Sequence, residues 1–294
     1  MSMSRPKVWL LASRPKTLWA AVAPVIIGTA LAYADDAGHL LSALAALFGA
    51  VMIQIGTNFA NDYLDYKKGT DNEKRLGPMR VTQSGLVAPA TMKRATAAVF
   101  ALAMLAGIYL VWRGGWPIVI IGLSSILFGV LYTGGPYPLS YNGLSDIFVL
   151  IFFGPVAVGG TYFVQALDIN NLVLLAGVAP GLFSVAILTV NNLRDIDGDR
   201  VAGKKTLAVR FGKTFSRWEY LLSIVVAALI PAVMVVISGR RYYALASAVV
   251  ILIAVPVFKT IFTRTEGETL NDALAATGKL LLIFSLIFSV GWLL

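Results

Sequence analysis

Asn58, Asp62 and Asp65 stand at spacing i, i+4, i+7, and Asn191, Asp195 and Asp199 at i, i+4, i+8. On a helix, each set shares one face. Both sets close a long hydrophobic run, where carboxylates are costly unless they bind something. The chain has 15 acidic residues, and the stretches 58–65 and 191–199 hold five of them. Paired carboxylates with supporting amides are oxygen ligands, which suit hard cations. Mg²⁺ keeps several waters and is usually held by one or two carboxylates together with substrate phosphates. Two facing sets therefore predict two Mg²⁺ ions with a diphosphate between them. Basic residues in the adjoining stretches would meet the remaining phosphate charge. Candidates are Lys67, Arg75, Arg80, Arg194, Lys204 and Lys205. Metals and cations so placed neutralise the charge on departing diphosphate. If the leaving group is allylic, a carbocation remains that aromatic faces can stabilise.

The elements that must carry these residues are membrane helices. The chain is 58% hydrophobic and 13% charged, against roughly a quarter charged in a soluble domain. A helix crosses the bilayer with about 20 apolar residues. Nine candidate spans follow, at about 17–34, 40–63, 92–112, 116–133, 146–164, 171–193, 217–237, 242–262 and 272–293. The basic start and apolar run of residues 1–34 read as a first span rather than a cleaved leader, because many further spans follow. With the N-terminus inside, 20 Lys and Arg fall on the inner side and three (Arg113, Arg240, Arg241) on the outer, with Lys279 within the last span. That asymmetry predicts an N-in, C-out chain. From Leu40 to Asp62 is 22 steps, or about 33 Å of helix. Both acidic sets therefore sit at the inner membrane boundary, not its middle.

The net charge of +9 is spread over short loops between spans. That pattern belongs to orientation and to anionic lipid or substrate, not to nucleic acid. No cysteine is present, which excludes disulfide and thiolate chemistry. A cation transporter also carries intramembrane acids, but its sites lie near the midplane.

The two sets and their surroundings resemble the UbiA superfamily of intramembrane prenyltransferases. The resemblance rests on Arg14-Pro15-Lys16-Thr17-Leu18, on the run from Asn61 through Asp62 and Asp65 to Gly69-Thr70-Asp71, on Tyr132-Thr133-Gly134-Gly135-Pro136, and on Asn191-Asn192-Leu193-Arg194-Asp195 continuing to Gly212. It implies an all-α, polytopic membrane protein of nine transmembrane helices around a central cavity. The single domain would have cytoplasmic cap loops at about 64–91 and 194–216. Within the family it is most like the members that prenylate 1,4-dihydroxy-2-naphthoate. The implied reaction takes a polyprenyl group from polyprenyl diphosphate, releases diphosphate and CO₂, and gives demethylmenaquinone. Asp62, Asp65, Asp195 and Asp199 would hold Mg²⁺. Asn58, Asn191, Lys67, Arg80, Gln83, Arg194, Lys205 and Tyr132 would bind substrate, with Asp71 as a further candidate. The implied setting is the bacterial inner membrane, with the site facing the cytoplasm and the lipid bilayer as partner. The same metal chemistry serves 4-hydroxybenzoate or homogentisate, so the naphthoate acceptor rests on the resemblance alone. One departure concerns Ser145-Asp146, where a glycine is expected before the acid; the role of Asp146 is left open. Tyr63, Tyr66, Tyr132, Tyr137 and Tyr141 are candidates for lining the site or for an interfacial belt.

Overall fold

Prolines open the first long helices, where the missing N–H costs nothing. In a computed structural model describing residues 3–69 and 76–294, α1 spans Arg5–Ser13 and α2 Pro15–Ala34. Helix α3 spans Leu40–Lys68 and starts with the His39 ring accepting the Ser42 N–H. Helices α4 (Pro89–Gly114) and α5 (Trp116–Leu131) follow, then the short α6 (Leu139–Asn142) and α7 (Ser145–Ile151). A π-turn at Phe152–Val156 leads into α8 (Ala157–Ala166). Helix α9 (Asn171–Val201) is capped by Asn170, and α10 (Leu207–Ser238) by Thr206. A 3₁₀ segment at Tyr242–Val249 precedes α11 (Val250–Thr263), and α12 is Gly267–Leu293. No strand occurs among the described residues.

Eight helical segments among the described residues are long and apolar enough to cross a membrane. The chain is a multi-pass, all-α membrane protein. The expected span at 116–133 is an apolar helix of 16 residues, about 24 Å long, shorter than an average hydrocarbon core. The expected 40–63 and 171–193 spans run on to Lys68 and Val201, so both acidic sets are helical throughout.

Burial sorts the helices. The most apolar window of α9 is 78% buried and that of α4 only 17%. Helix α9 is therefore the hub, and α4 turns most of its apolar surface outward. Phe183 on α9 packs on Phe284 of α12 at 5.1 Å between ring centroids, within a core shared with Tyr220 and Ile224 of α10. The π-turn reaches α9 because three glycines meet there. A Cβ on Gly154 would lie 2.7 Å from the Gly177 carbonyl oxygen and 3.1 Å from Gly181 Cα. Small residues permit this close backbone approach between membrane helices, and it holds α7 against the site-bearing helix.

Candidate active site

The last turns of α3 and α9 face one cavity of about 1110 Å³. Asn58, Asn61 and Asp65 line it from α3, and Asn191, Arg194, Asp195 and Asp199 from α9. Of the two expected sets, all but Asp62 line this one cavity. Each carboxylate is already engaged. Arg80 forms a buried ion pair with Asp65, each side chain being 6% exposed. Arg194 grips Asp195 with both edges of its fork, Nε to Oδ1 at 2.9 Å and Nη2 to Oδ2 at 2.6 Å. The same guanidinium donates to Asn191 Oδ1 at 2.8 Å and to Asn271 Oδ1 of α12 at 2.6 Å. Lys204 Nζ lies 3.0 Å from Asp199. A turn through Gly203, at φ 72°, brings Lys204 back over the end of α9. Burial pulls the Lys204 ammonium down, but Asp199 and Asp65 outweigh it, so its pKa is raised above the ordinary lysine value.

Asp62 behaves differently. It is absent from the cavity wall, and its carboxylate accepts the backbone N–H groups of Val81 and Thr82 at 3.2 and 3.3 Å. The segment carrying Arg80 is seated by Val81, Val87 and Met92, which pack with Val8, Ala12 and Phe59. Asp62 and this small apolar cluster hold the loop that delivers Arg80 to Asp65.

Amides and hydroxyls set the neighbouring side chains. Asn58 Nδ2 donates to the Ser13 carbonyl at 2.9 Å, tying α3 to the end of α1. Thr133 donates to Asn61 Oδ1 at 2.9 Å, and Lys68 Nζ to the Thr133 carbonyl at 2.5 Å. Lys68 also stands 4.7 Å from the centre of the Tyr141 ring. Tyr132 lines the cavity beside them.

Three expected contributors stand away from the cavity wall. Lys67, Gln83 and Lys205 are exposed. Two steps on a helix turn about 200°, which carries Lys67 off the Asp65 face; Lys68, at i+3, returns to it. Asp71 and Arg75 lie outside the described residues. Tyr63 packs beneath the Arg80 loop, and Tyr66 and Tyr137 are exposed. Tyr132 is joined in the aromatic lining by Phe128, Phe148 and Phe152, with centroids 4.6, 5.3 and 6.2 Å apart in pairs, and by Phe153. Their i, i+4 relations (Phe128 with Tyr132, Phe148 with Phe152) were available in the sequence. Asn271, far along the chain on α12, carried no such signal.

The donor set is oxygen only, as Mg²⁺ requires. Among the described residues no three carboxylate or imidazole groups cluster as a ready-made cage. A site of one or two carboxylates per ion, completed by substrate phosphates, fits this arrangement.

Residues 21–292 match the UbiA prenyltransferase family. The chain belongs to that family. It is similar to 1,4-dihydroxy-2-naphthoate octaprenyltransferase of Haemophilus influenzae, at 34% identity over 98% of this chain and 96% of the relative. It is also similar to the Escherichia coli protein of the same name, at 42% identity over 73% of this chain and 72% of the relative. A solved UbiA homolog from Archaeoglobus fulgidus, bound to GPP and Mg²⁺, shares the fold with a TM-score of 0.67. Its identity is 13%, over 96% of this chain and 99% of that one. The fold therefore persists in this family where most side chains have changed.

Proposed function

We propose that the protein transfers a polyprenyl group from polyprenyl diphosphate to 1,4-dihydroxy-2-naphthoate. Diphosphate and CO₂ are released. The product is demethylmenaquinone in its quinol form, since no oxidant takes part. The observation that carries this reading is the shared cavity: its wall holds Asp65, Asp195 and Asp199 with Arg80, Arg194 and Lys204, and much of the rest is apolar and aromatic. The acceptor follows from the names of the similar bacterial proteins.

Asp65, Asp195 and Asp199, supported by Asn58 and Asn191, are proposed to hold Mg²⁺; Asp62 joins them if its loop contacts open. Mg²⁺ bound there supplies positive charge to the diphosphate as the C–O bond breaks. Arg80, Arg194 and Lys204 each neutralise one carboxylate of the site. An incoming diphosphate offers these cations a second anionic partner, so binding exchanges ion pairs rather than burying new unpaired charge. Arg194 suits this exchange because its planar fork matches phosphate as well as carboxylate. Below them Phe128, Phe148 and Phe152 present ring faces to an allylic cation, and the apolar wall keeps water from capturing it. The ring carbon of the acceptor then forms the new C–C bond, and the carboxylate carbon leaves as CO₂.

The same reading sets this chain in the bacterial inner membrane, N-terminus inside, with the site and the caps at about 64–91 and 194–216 on the cytoplasmic side. The distribution of Lys and Arg supports it. The test is a mass spectrum of the product made by purified protein from Mg²⁺, geranylgeranyl diphosphate and equal amounts of 1,4-dihydroxy-2-naphthoate, 4-hydroxybenzoate and homogentisate. A decarboxylated, prenylated naphthoquinol is expected. Prenylation of another acceptor with none of the naphthoate would overturn the assignment.

A further inference from the structure

Where α3 and α9 end, two lysines share one tyrosine ring. Lys68, the last residue of α3, places Nζ 4.7 Å from the centre of the Tyr141 ring, and Lys204, just past α9, places its own at 5.6 Å. Both distances fall within cation–π range. The backbone that carries the ring is docked on the segment after α9. The Tyr141 carbonyl accepts the Lys205 N–H at 3.1 Å, and Arg210 Nη2 donates to the Asn142 carbonyl at 2.8 Å. Gly143 approaches so closely that a Cβ there would lie 2.7 Å from the Lys205 carbonyl oxygen.

The two lysines differ in their partners. Lys204 has Asp199 at 3.0 Å, as Arg80 has Asp65 and Arg194 has Asp195. Lys68 pairs with no carboxylate among the described residues. Its contacts are neutral ones, the Thr133 carbonyl at 2.5 Å and the Tyr141 ring. Thr133 and Lys204 line the cavity, as does Asp65, three residues before Lys68. An exposed lysine without an ion pair gains nothing electrostatically by approaching a second ammonium. Here the carbonyl and the ring hold it beside Lys204, so two positive charges gather where only Lys204 has a carboxylate partner. A multivalent anion satisfies such an arrangement.

We propose that Lys68 is a diphosphate-binding residue of this site and that Tyr141 is its positioning residue, holding the Lys68 and Lys204 ammonium groups ready for the same anion. The proposal rests on the prenyl-transfer reading above and extends it to residues that bind rather than react. An ammonium has three donors, and the Thr133 carbonyl takes one of those on Lys68. A cation held in place before its ligand arrives loses less freedom on binding. The ring face supplies that hold without neutralising the charge, which a carboxylate would do.

Titration calorimetry with geranylgeranyl diphosphate and Mg²⁺ tests this on wild type, Lys68→Gln, Tyr141→Phe, Tyr141→Leu and the double variant Lys68→Gln/Tyr141→Leu, each purified and checked for an unchanged melting profile. Tyr141→Met replaces Tyr141→Leu if the latter does not fold. Lys68→Gln should weaken binding about tenfold or more, the loss expected for a charge-assisted hydrogen bond. Tyr141→Leu should weaken it about two- to thirtyfold, whereas Tyr141→Phe, which keeps the ring face, should stay within about twofold of wild type. The double variant should lose less than the product of the single losses, because the ring acts partly through Lys68. Wild-type affinity in Lys68→Gln would overturn the binding role. Equal losses in Tyr141→Phe and Tyr141→Leu, or fully multiplicative losses in the double variant, would overturn the positioning role. Inorganic diphosphate is the second titrant. If it binds with the same dependence on Lys68 and Tyr141 while no prenyl group is transferred, the prenyl-transfer reading falls and Lys68 stands as a diphosphate ligand.

Discussion

Arg80 reaches back from a loop to pair with Asp65 fifteen residues earlier, and both side chains are buried. The loop is seated by Asp62, one turn before Asp65, through the N–H groups of Val81 and Thr82. One acidic set thus does two things: Asp62 holds the loop, and Asp65 faces the cavity.

This division separates the two aspartates experimentally. Asp62→Ala should release the loop, and trypsin should cut after Arg80 at least about tenfold faster than in the wild type. Asp65→Ala leaves the two backbone contacts intact and should raise cutting less. Equal protection of Arg80 in Asp62→Ala and wild type would contradict the anchoring role.

Much of this was legible from residue order. The i, i+4 spacings named the faces of α3 and α9, and the Lys and Arg asymmetry suggested which ends they occupy. Spacing could not say which acid turns to the cavity and which to a loop, because Asp62 and Asp65 are only about 60° apart on the helix. That choice is made by Val81, Val87 and Met92 packing on α1 and α3, a tertiary contact. Lys67 lies about 200° round the helix from Asp65, so its place in the sequence did not bring it to the cavity wall. The Arg194–Asn271 contact joins α9 to α12 across 77 residues and leaves no local trace.

Arg194 is the most fully committed cation of the site. Its side chain is 0% exposed and bonded to Asp195, Asn191 and Asn271. Arg194→Lys keeps the charge but loses the fork. Transfer should fall about a hundredfold, and thermal unfolding should shift downward, since breaking a buried pair costs about 3–5 kcal/mol. Activity and melting temperature of the purified variant check both, and a silent substitution would show that the fork is dispensable.

The aromatic lining makes a separate prediction. Phe148→Leu keeps apolar bulk but removes a ring face from the trio with Phe128 and Phe152. A cation–π contact is worth about 0.5–2 kcal/mol, so kcat should drop about two- to thirtyfold while KM for the prenyl diphosphate holds. A raised KM with unchanged kcat would instead mean that Phe148 only grips the chain.

Metal removal tests the donor set. Protein treated with a chelator should lose transfer activity and regain it with Mg²⁺. Ca²⁺ should restore it poorly, because it favours more ligands at longer distances. Full activity in excess chelator would rule out the metal-assisted route.

The central claim is that α3 and α9 bind one diphosphate together, and titration calorimetry tests it most directly. Geranylgeranyl diphosphate would be titrated, with and without Mg²⁺, into wild type, Asp65→Asn and Asp195→Asn. The account predicts Mg²⁺-dependent binding in wild type and a loss of about a hundredfold or more in each variant, because removing either set leaves phosphate charge unmatched. Wild-type affinity in either variant would contradict a shared site.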